Sequence, residues 1–133
     1  MTAEEKYAYW LELAQYDLES ADAMFATGRW FYVVFMCQQA VEKLVKGLYS
    51  YYMPDAPPRL HNIRAIAKRL ESHLPNVIPE DTLDFFDTLT SYYLNNRYPD
   101  YVSKLSLQIS QDEAEEILKT TKEVFSWLLT LKP

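Results

Sequence analysis

The chain has 133 residues, 13 Lys+Arg against 19 Asp+Glu and a net charge of −6, with 49% of its residues hydrophobic and 24% charged. That length makes one domain, 1–133, whose core needs neither metal nor disulfide, and the composition excludes disordered, collagenous and disulfide-rich classes. The acidic balance argues against coating of duplex nucleic acid, where each neutralised phosphate calls for a basic group, and a single cysteine excludes an internal disulfide and suits a reducing compartment.

Thr2-Ala3-Glu4-Glu5 is a capping-box pattern and opens the first helix. Tyr7, Trp10, Leu11, Ala14, Leu18, Ala21, Met24 and Phe25 recur three and four apart on one side of it, with Glu5, Glu12 and Glu19 on the other. Gly28 is placed to end it. The second helix is predicted over Trp30–Tyr52, with a wide apolar face that makes it the most buried element. Gln39, Glu42, Lys43, Lys46 and Ser50 lie within about 100° of one another around it, a narrow polar stripe extended backwards by Tyr32 and Phe35. Pro54, Pro57 and Pro58 make Met53–Leu60 a loop.

Asn62 is an N-cap for a short third helix running to Ser72, with Ile63, Ile66, Ala67 and Leu70 facing inward. Its other side carries Arg64, Lys68 and Arg69, with Arg59 and His61 just upstream, and reads as the one concentrated positive surface. Its N-terminus, flanked by Arg59 and Arg64, reads equally as an anion site or a braced loop. Leu83, Phe86, Thr90, Tyr93 and Leu94 predict a fourth helix that stops near Asn95-Asn96, because Tyr98 precedes Pro99. Ser110 and Glu113 form a second capping-box pattern, opening a fifth helix with Ala114, Ile117, Leu118, Thr121, Val124, Phe125, Leu128 and Leu131 inward.

No segment shows the sustained alternation of a strand, so the predicted fold is all-α, an antiparallel bundle of four to five helices. The longest unbroken apolar run, Trp30 to Cys37, is far below the roughly 20 residues of a spanning helix, and the opening is unlike a signal peptide. A soluble, cytoplasmic protein with no membrane partner is expected.

Zinc-like ligand spacing is missing, since His61 and His73 stand alone and Cys37 lies on a core stripe. Two glycines leave no phosphate-cradling loop. No metal or cofactor is expected. Arg97, carried on by a continued fourth helix, falls on the stripe of Phe86, Thr90 and Tyr93, where an inward guanidinium needs a carboxylate such as Glu42 or Asp17; it reads either as a helix-end Arg that reaches solvent or braces the turn, or as a phosphate or base contact. Glu42 and Lys46 are spaced for an i,i+4 ion pair on either a solvated face or a cleft wall.

Gln38-Gln39-Ala40-Val41-Glu42-Lys43-Leu44-Val45-Lys46-Gly47-Leu48, then Leu60-His61-Asn62-Ile63, then Tyr92-Tyr93-Leu94-Asn95-Asn96-Arg97-Tyr98-Pro99-Asp100, together resemble the HEPN domain family. Tyr16-Asp17-Leu18 and the Gly28-Arg29-Trp30 turn fit the same pattern, so the resemblance spans nearly the whole chain. It implies a dimerising helical bundle that binds nucleotides or RNA. Small members often work beside a minimal nucleotidyltransferase, and others are metal-independent RNase toxins with an Arg and a His four to six residues apart. Here no His follows Arg97, Arg69 and His73 are too close together, and Arg59 and His61 are closer still.

The resemblance therefore implies a non-catalytic version of the family with no catalytic residues assigned. Lys43, Lys46, His61, Arg97 and Tyr98 would meet a nucleotide or phosphate, with Asp17, Glu42, Asn62 and Pro99 in support. The expected protein is a homodimer binding an ATP- or GTP-like nucleotide, or a nucleotide-bearing partner, beside a nucleotidyltransferase in a toxin–antitoxin-like pair. The alternatives are an RNase toxin with a degenerate site using Arg97, Tyr98 and His61, and a purely structural dimeric scaffold.

Overall fold

The computed structural model describes residues 1–93 and 108–133. Five α-helices make up the fold among these residues: α1 (Ala3–Ala26), α2 (Trp30–Tyr52), α3 (Ile63–Leu70), α4 (Glu80–Thr90) and α5 (Gln111–Leu129), with one 3₁₀ turn at Glu71–His73. No strand occurs among the described residues, and no helix there is long and apolar enough to cross a membrane.

Both ends of α1 follow from local chemistry. Thr2 and Glu5 close a reciprocal capping box at 3.1 Å each way. At the other end Gly28 takes φ +74°, which lets its N–H reach Phe25 O at 3.1 Å and the Arg29 N–H reach Met24 O at 2.9 Å. These two bonds satisfy carbonyls that the helix end would leave open, and they turn the chain directly into α2. Met53, ahead of Pro54, is extended at φ −109° and ψ 147°, which ends α2 as the proline requires.

The wide apolar face of α2 makes it the hub of the fold. Fifteen of its residues are buried, and α1, α3, α4 and α5 all pack on it. Phe31, Leu44 and Leu48 from α2 meet Ile63, Ile66 and Leu70 from α3, Phe86 and Leu89 from α4, and Leu128 from α5 in one continuous core. Cys37 is fully buried in that core, and burial pushes its thiol up to about 12, so it behaves as a small hydrophobe.

The third helix is shorter than expected and passes at Glu71 into the 3₁₀ turn. The fourth helix ends at Thr90, not near Asn95-Asn96. There the Tyr92 and Tyr93 N–H groups bond to Leu89 O and Thr90 O, tightening the chain into a turn. Tertiary contacts decide this: the Tyr92 hydroxyl donates to Glu113 Oε1 on α5 at 2.8 Å, and Tyr93 stacks on His61. The same contact alters the expected second capping box. Ser110 does accept the Glu113 N–H at 3.1 Å, but the Glu113 carboxylate is engaged by Tyr92.

Burial, and then the bond to Glu113, push the Tyr92 phenol up to about 12, against roughly 10 in an unfolded chain. The unfolded state therefore loses this proton first as pH rises, and folding stability should fall between roughly pH 10 and about 12. Urea midpoints taken across that range should fall less steeply for Tyr92→Phe. Cys37, Tyr7, Tyr49, Tyr52 and Lys132 are also shifted upward and add to the slope.

Candidate functional site

Much of the polar stripe of α2 lies inside the fold, with Gln39 and Lys43 partly exposed at its edge. Glu42, Lys46 and Ser50 are buried, as is Gln38, one turn before Glu42. Helical spacing brings Gln38, Glu42 and Lys46 into line, and the α2–α3 loop carries His61 across to the same carboxylate. Glu42 Oε1 accepts from Gln38 Nε2 at 2.8 Å, and Glu42 Oε2 accepts from Lys46 Nζ at 3.1 Å. His61 Nδ1 lies 3.2 and 3.3 Å from the two carboxylate oxygens. Gln39 donates in turn to Gln38 Oε1 at 2.6 Å, and Ser50 Oγ donates to Lys46 O at 2.9 Å.

A buried carboxylate with three donors is well compensated, because most of the roughly four lone-pair sites that lost water have gained a partner. The Glu42–Lys46 pair anticipated from spacing thus forms, but in the interior and not on a solvated face. The neighbouring cation faces the other way: Lys43 Nζ pairs with Asp17 Oδ2 of α1, so the two lysines serve separate acids.

His61 is the exposed member of the group, its side chain 46% accessible. Its ring lies flat on Tyr93, with centroids 3.9 Å apart and planes 14° from parallel. With Nδ1 donating to Glu42, the ring orientation is set and Nε2 is left as the atom available to a ligand. Asn62 is the N-cap foreseen from sequence, accepting the Ala65 N–H at 3.0 Å. Thr90 Oγ1 accepts the Ile63 N–H at 3.3 Å, so the N–H groups of Ile63 and Ala65 at the start of α3 are both taken by protein groups.

The basic face of α3 is also less open than the sequence suggests. Arg64 NH1 meets Glu80 at 3.2 Å, NH2 meets Asp84 at 2.8 Å and Nε lies 3.0 Å from Asp87. Lys68 pairs with Glu71 at 3.3 Å. The acids on Arg64 come from the outer side of α4 and clamp it to α3, and Glu71 of the 3₁₀ turn covers Lys68, whereas Arg59 and Arg69 are exposed with no ion-pair partner among the described residues. Tyr32, at the far end of the stripe, is exposed, and Phe35 is partly buried against the core. No group of three His, Cys, Asp or Glu among the described residues is placed to hold a metal.

The structure therefore brings together Glu42, Lys46 and His61, sets Lys43 with Asp17, and uses Asn62 as a cap. Arg97, Tyr98 and Pro99, and with them the expected Arg97 carboxylate partner, lie outside the described residues. Two members of the group escaped sequence reasoning. Gln38 could have been found by its i,i+4 spacing to Glu42, whereas Tyr93 reads as a core residue of a longer helix and no local signal places it beside His61.

The model of the HEPN domain family matches residues 7–131. The chain belongs to the HEPN family. Among solved structures it is similar to TT1696 from Thermus thermophilus, with a TM-score of 0.79 and 25% identity over 94% of this chain and 97% of that one. It also shares its fold with ST0689, an archaeal HEPN homologue, at a TM-score of 0.68 and 23% identity, over 98% of this chain and 97% of that one. Comparison with curated proteins gives no match. The all-helical HEPN bundle anticipated from the QQAVEKLVKGL and NNRYPDY segments is thereby established.

Proposed function

We propose that this HEPN protein is a non-catalytic accessory protein that binds a nucleotide, or a nucleotide-bearing partner, as a homodimer. The partner is a minimal nucleotidyltransferase, in a toxin–antitoxin-like pair. The observation that carries the reading is the Glu42 corner: an ammonium, an amide and an imidazole held on one buried carboxylate, with the imidazole stacked on Tyr93. A nucleotide is both flat and anionic. A rigid His61–Tyr93 stack offers a platform for a base, and His61 Nε2 offers a polar contact at its edge. No histidine follows Arg97, so the family's Arg–His pair for RNA cleavage is missing from the sequence.

Calorimetric titration with ATP and with GTP should give measurable binding to the wild type, weakened roughly tenfold by His61→Ala or Arg97→Ala, the loss of one good polar anchor. No heat with either nucleotide overturns the ligand half of the reading. Co-expression with the product of the neighbouring gene should yield one complex with a nucleotidyltransferase on gel filtration. Separate migration of the two overturns the partner half.

The Glu42–His61 contact also favours a second reading, a degenerate RNase. A carboxylate that fixes imidazole orientation leaves Nε2 positioned to take a proton from a ribose 2′-hydroxyl. Total RNA should then be degraded by wild type and spared by His61→Ala. Identical traces retire the enzyme.

A further inference from the structure

We propose that the outward face of α1 is a docking stripe for a basic helix of another protein. Glu5, Tyr9, Glu12, Tyr16, Glu19 and Ala23 follow one another at alternating intervals of four and three residues, and all six are exposed. That spacing holds them on one line along a helix, the register in which one helix seats another. Tyr9 and Tyr16 leave 55% and 69% of their surface in water, and with Tyr32 they are the exposed aromatics among the described residues.

The charges on α1 divide by direction. Glu4, Asp17 and Asp22 are each paired with a lysine, Lys132, Lys43 and Lys122 respectively. On the stripe, Glu12 and Glu19 have no ion-pair partner among the described residues, and Glu5 is spent on the Thr2 N–H at the helix start. The result is a line on which tyrosine alternates with carboxylate, Glu12 and Glu19 having no ion-pair partner among the described residues, on a helix whose opposite side is packed on α2.

This pattern selects its occupant. A helix bearing Arg or Lys three and four residues apart sets each cation beside a glutamate and lays its alkyl stem and charge against a tyrosine ring. A second copy docked in parallel through the same face would oppose glutamate to glutamate, and the antiparallel arrangement, which sets Glu12 against Tyr16 and Tyr9 against Glu19, would bring no cation to either acid. Nucleic acid and anionic lipid carry the same sign as the stripe and are repelled by it.

The test is a heteronuclear NMR titration of the full chain with two helical peptides of about 21 residues, roughly six turns. One carries Arg opposite the glutamates and Leu opposite the tyrosines; the other replaces each Arg with Glu. Only the basic peptide should bind, with shifts confined to the outer face of α1 and affinity falling with salt. Glu12→Lys/Glu19→Lys should weaken it roughly tenfold and Tyr16→Ala severalfold, whereas Glu116→Lys/Glu123→Lys, exposed and likewise seven apart on α5, should leave it within about twofold. All variants are at exposed positions, and their circular dichroism should match wild type.

Absence of binding, equal loss in the α5 control, shifts elsewhere, or indifference to Tyr16→Ala overturns the proposal. Peptide-free self-association abolished by the α1 variants also overturns it, by making a second copy the occupant. The stripe faces away from the Glu42 corner, so its failure leaves the nucleotide reading standing, and the reverse holds.

Discussion

Glu42→Ala should destabilise the folded protein by about 3 kcal/mol or more, a large share of the 5–15 kcal/mol typical of a domain. The variant strands Lys46, whose side chain is 11% exposed, without its carboxylate, and removes the acceptor of Gln38 and His61 together. Urea unfolding followed by circular dichroism measures it. The decisive comparison is Glu42→Leu/Lys46→Met, which removes both charges and keeps the volume, and should recover most of the loss. If the double variant is as unstable as Glu42→Ala, the cost comes from the acceptor lost to Gln38 and His61 and not from an abandoned charge. The same experiment bears on function, because His61 takes its orientation from Glu42. A variant that folds but lacks Glu42 should also lose nucleotide binding.

Gly47→Ala should also destabilise, by about 1–3 kcal/mol, although alanine is the better helix former by up to about 1 kcal/mol. A Cβ at residue 47 would stand 2.9 Å from Trp10 Cβ, closer than real contacts allow. Trp10 Cβ is fixed to the α1 backbone and cannot swing away, so the long α1–α2 interface has to part. Thermal unfolding of Gly28→Ala separates this crowding from backbone strain. Gly28 is exposed with φ +74°, and a Cβ there would meet only the Trp30 ring, at an unstrained 3.7 Å, so its substitution carries only the conformational penalty. Stabilisation of the Gly47→Ala protein would show that propensity outweighs the clash and that the two helices are not held so close.

The elements whose signals are local were legible from the chain. The Thr2 capping box, the Gly28 turn, the Asn62 cap and the apolar stripes of α1, α2 and α5 all appear where residue types and spacing put them. So did the Glu42–Lys46 pair, because i,i+4 neighbours meet on any helix. Its burial was not legible, since a polar stripe of that kind reads equally as a wet surface.

The site needed contacts that sequence distance hides. Lys43 finds Asp17 26 residues away, and His61 finds Glu42 19 residues away. The fourth helix shows the same limit. Its periodicity continues past Thr90, yet Tyr92 and Tyr93 are drawn to Glu113 and His61, and those long-range partners end the helix early. The basic face of α3 looked free because its acids, Glu80, Asp84 and Asp87, belong to another helix.

By itself the sequence determined which segments are helical, where most of them begin, and the HEPN membership, because caps, turns and hydrophobic periods act between residues a few positions apart. Tertiary structure alone decided which charges are spent inside and which remain for a partner: whether a carboxylate is free depends on the cation a different helix brings within about 3 Å of it.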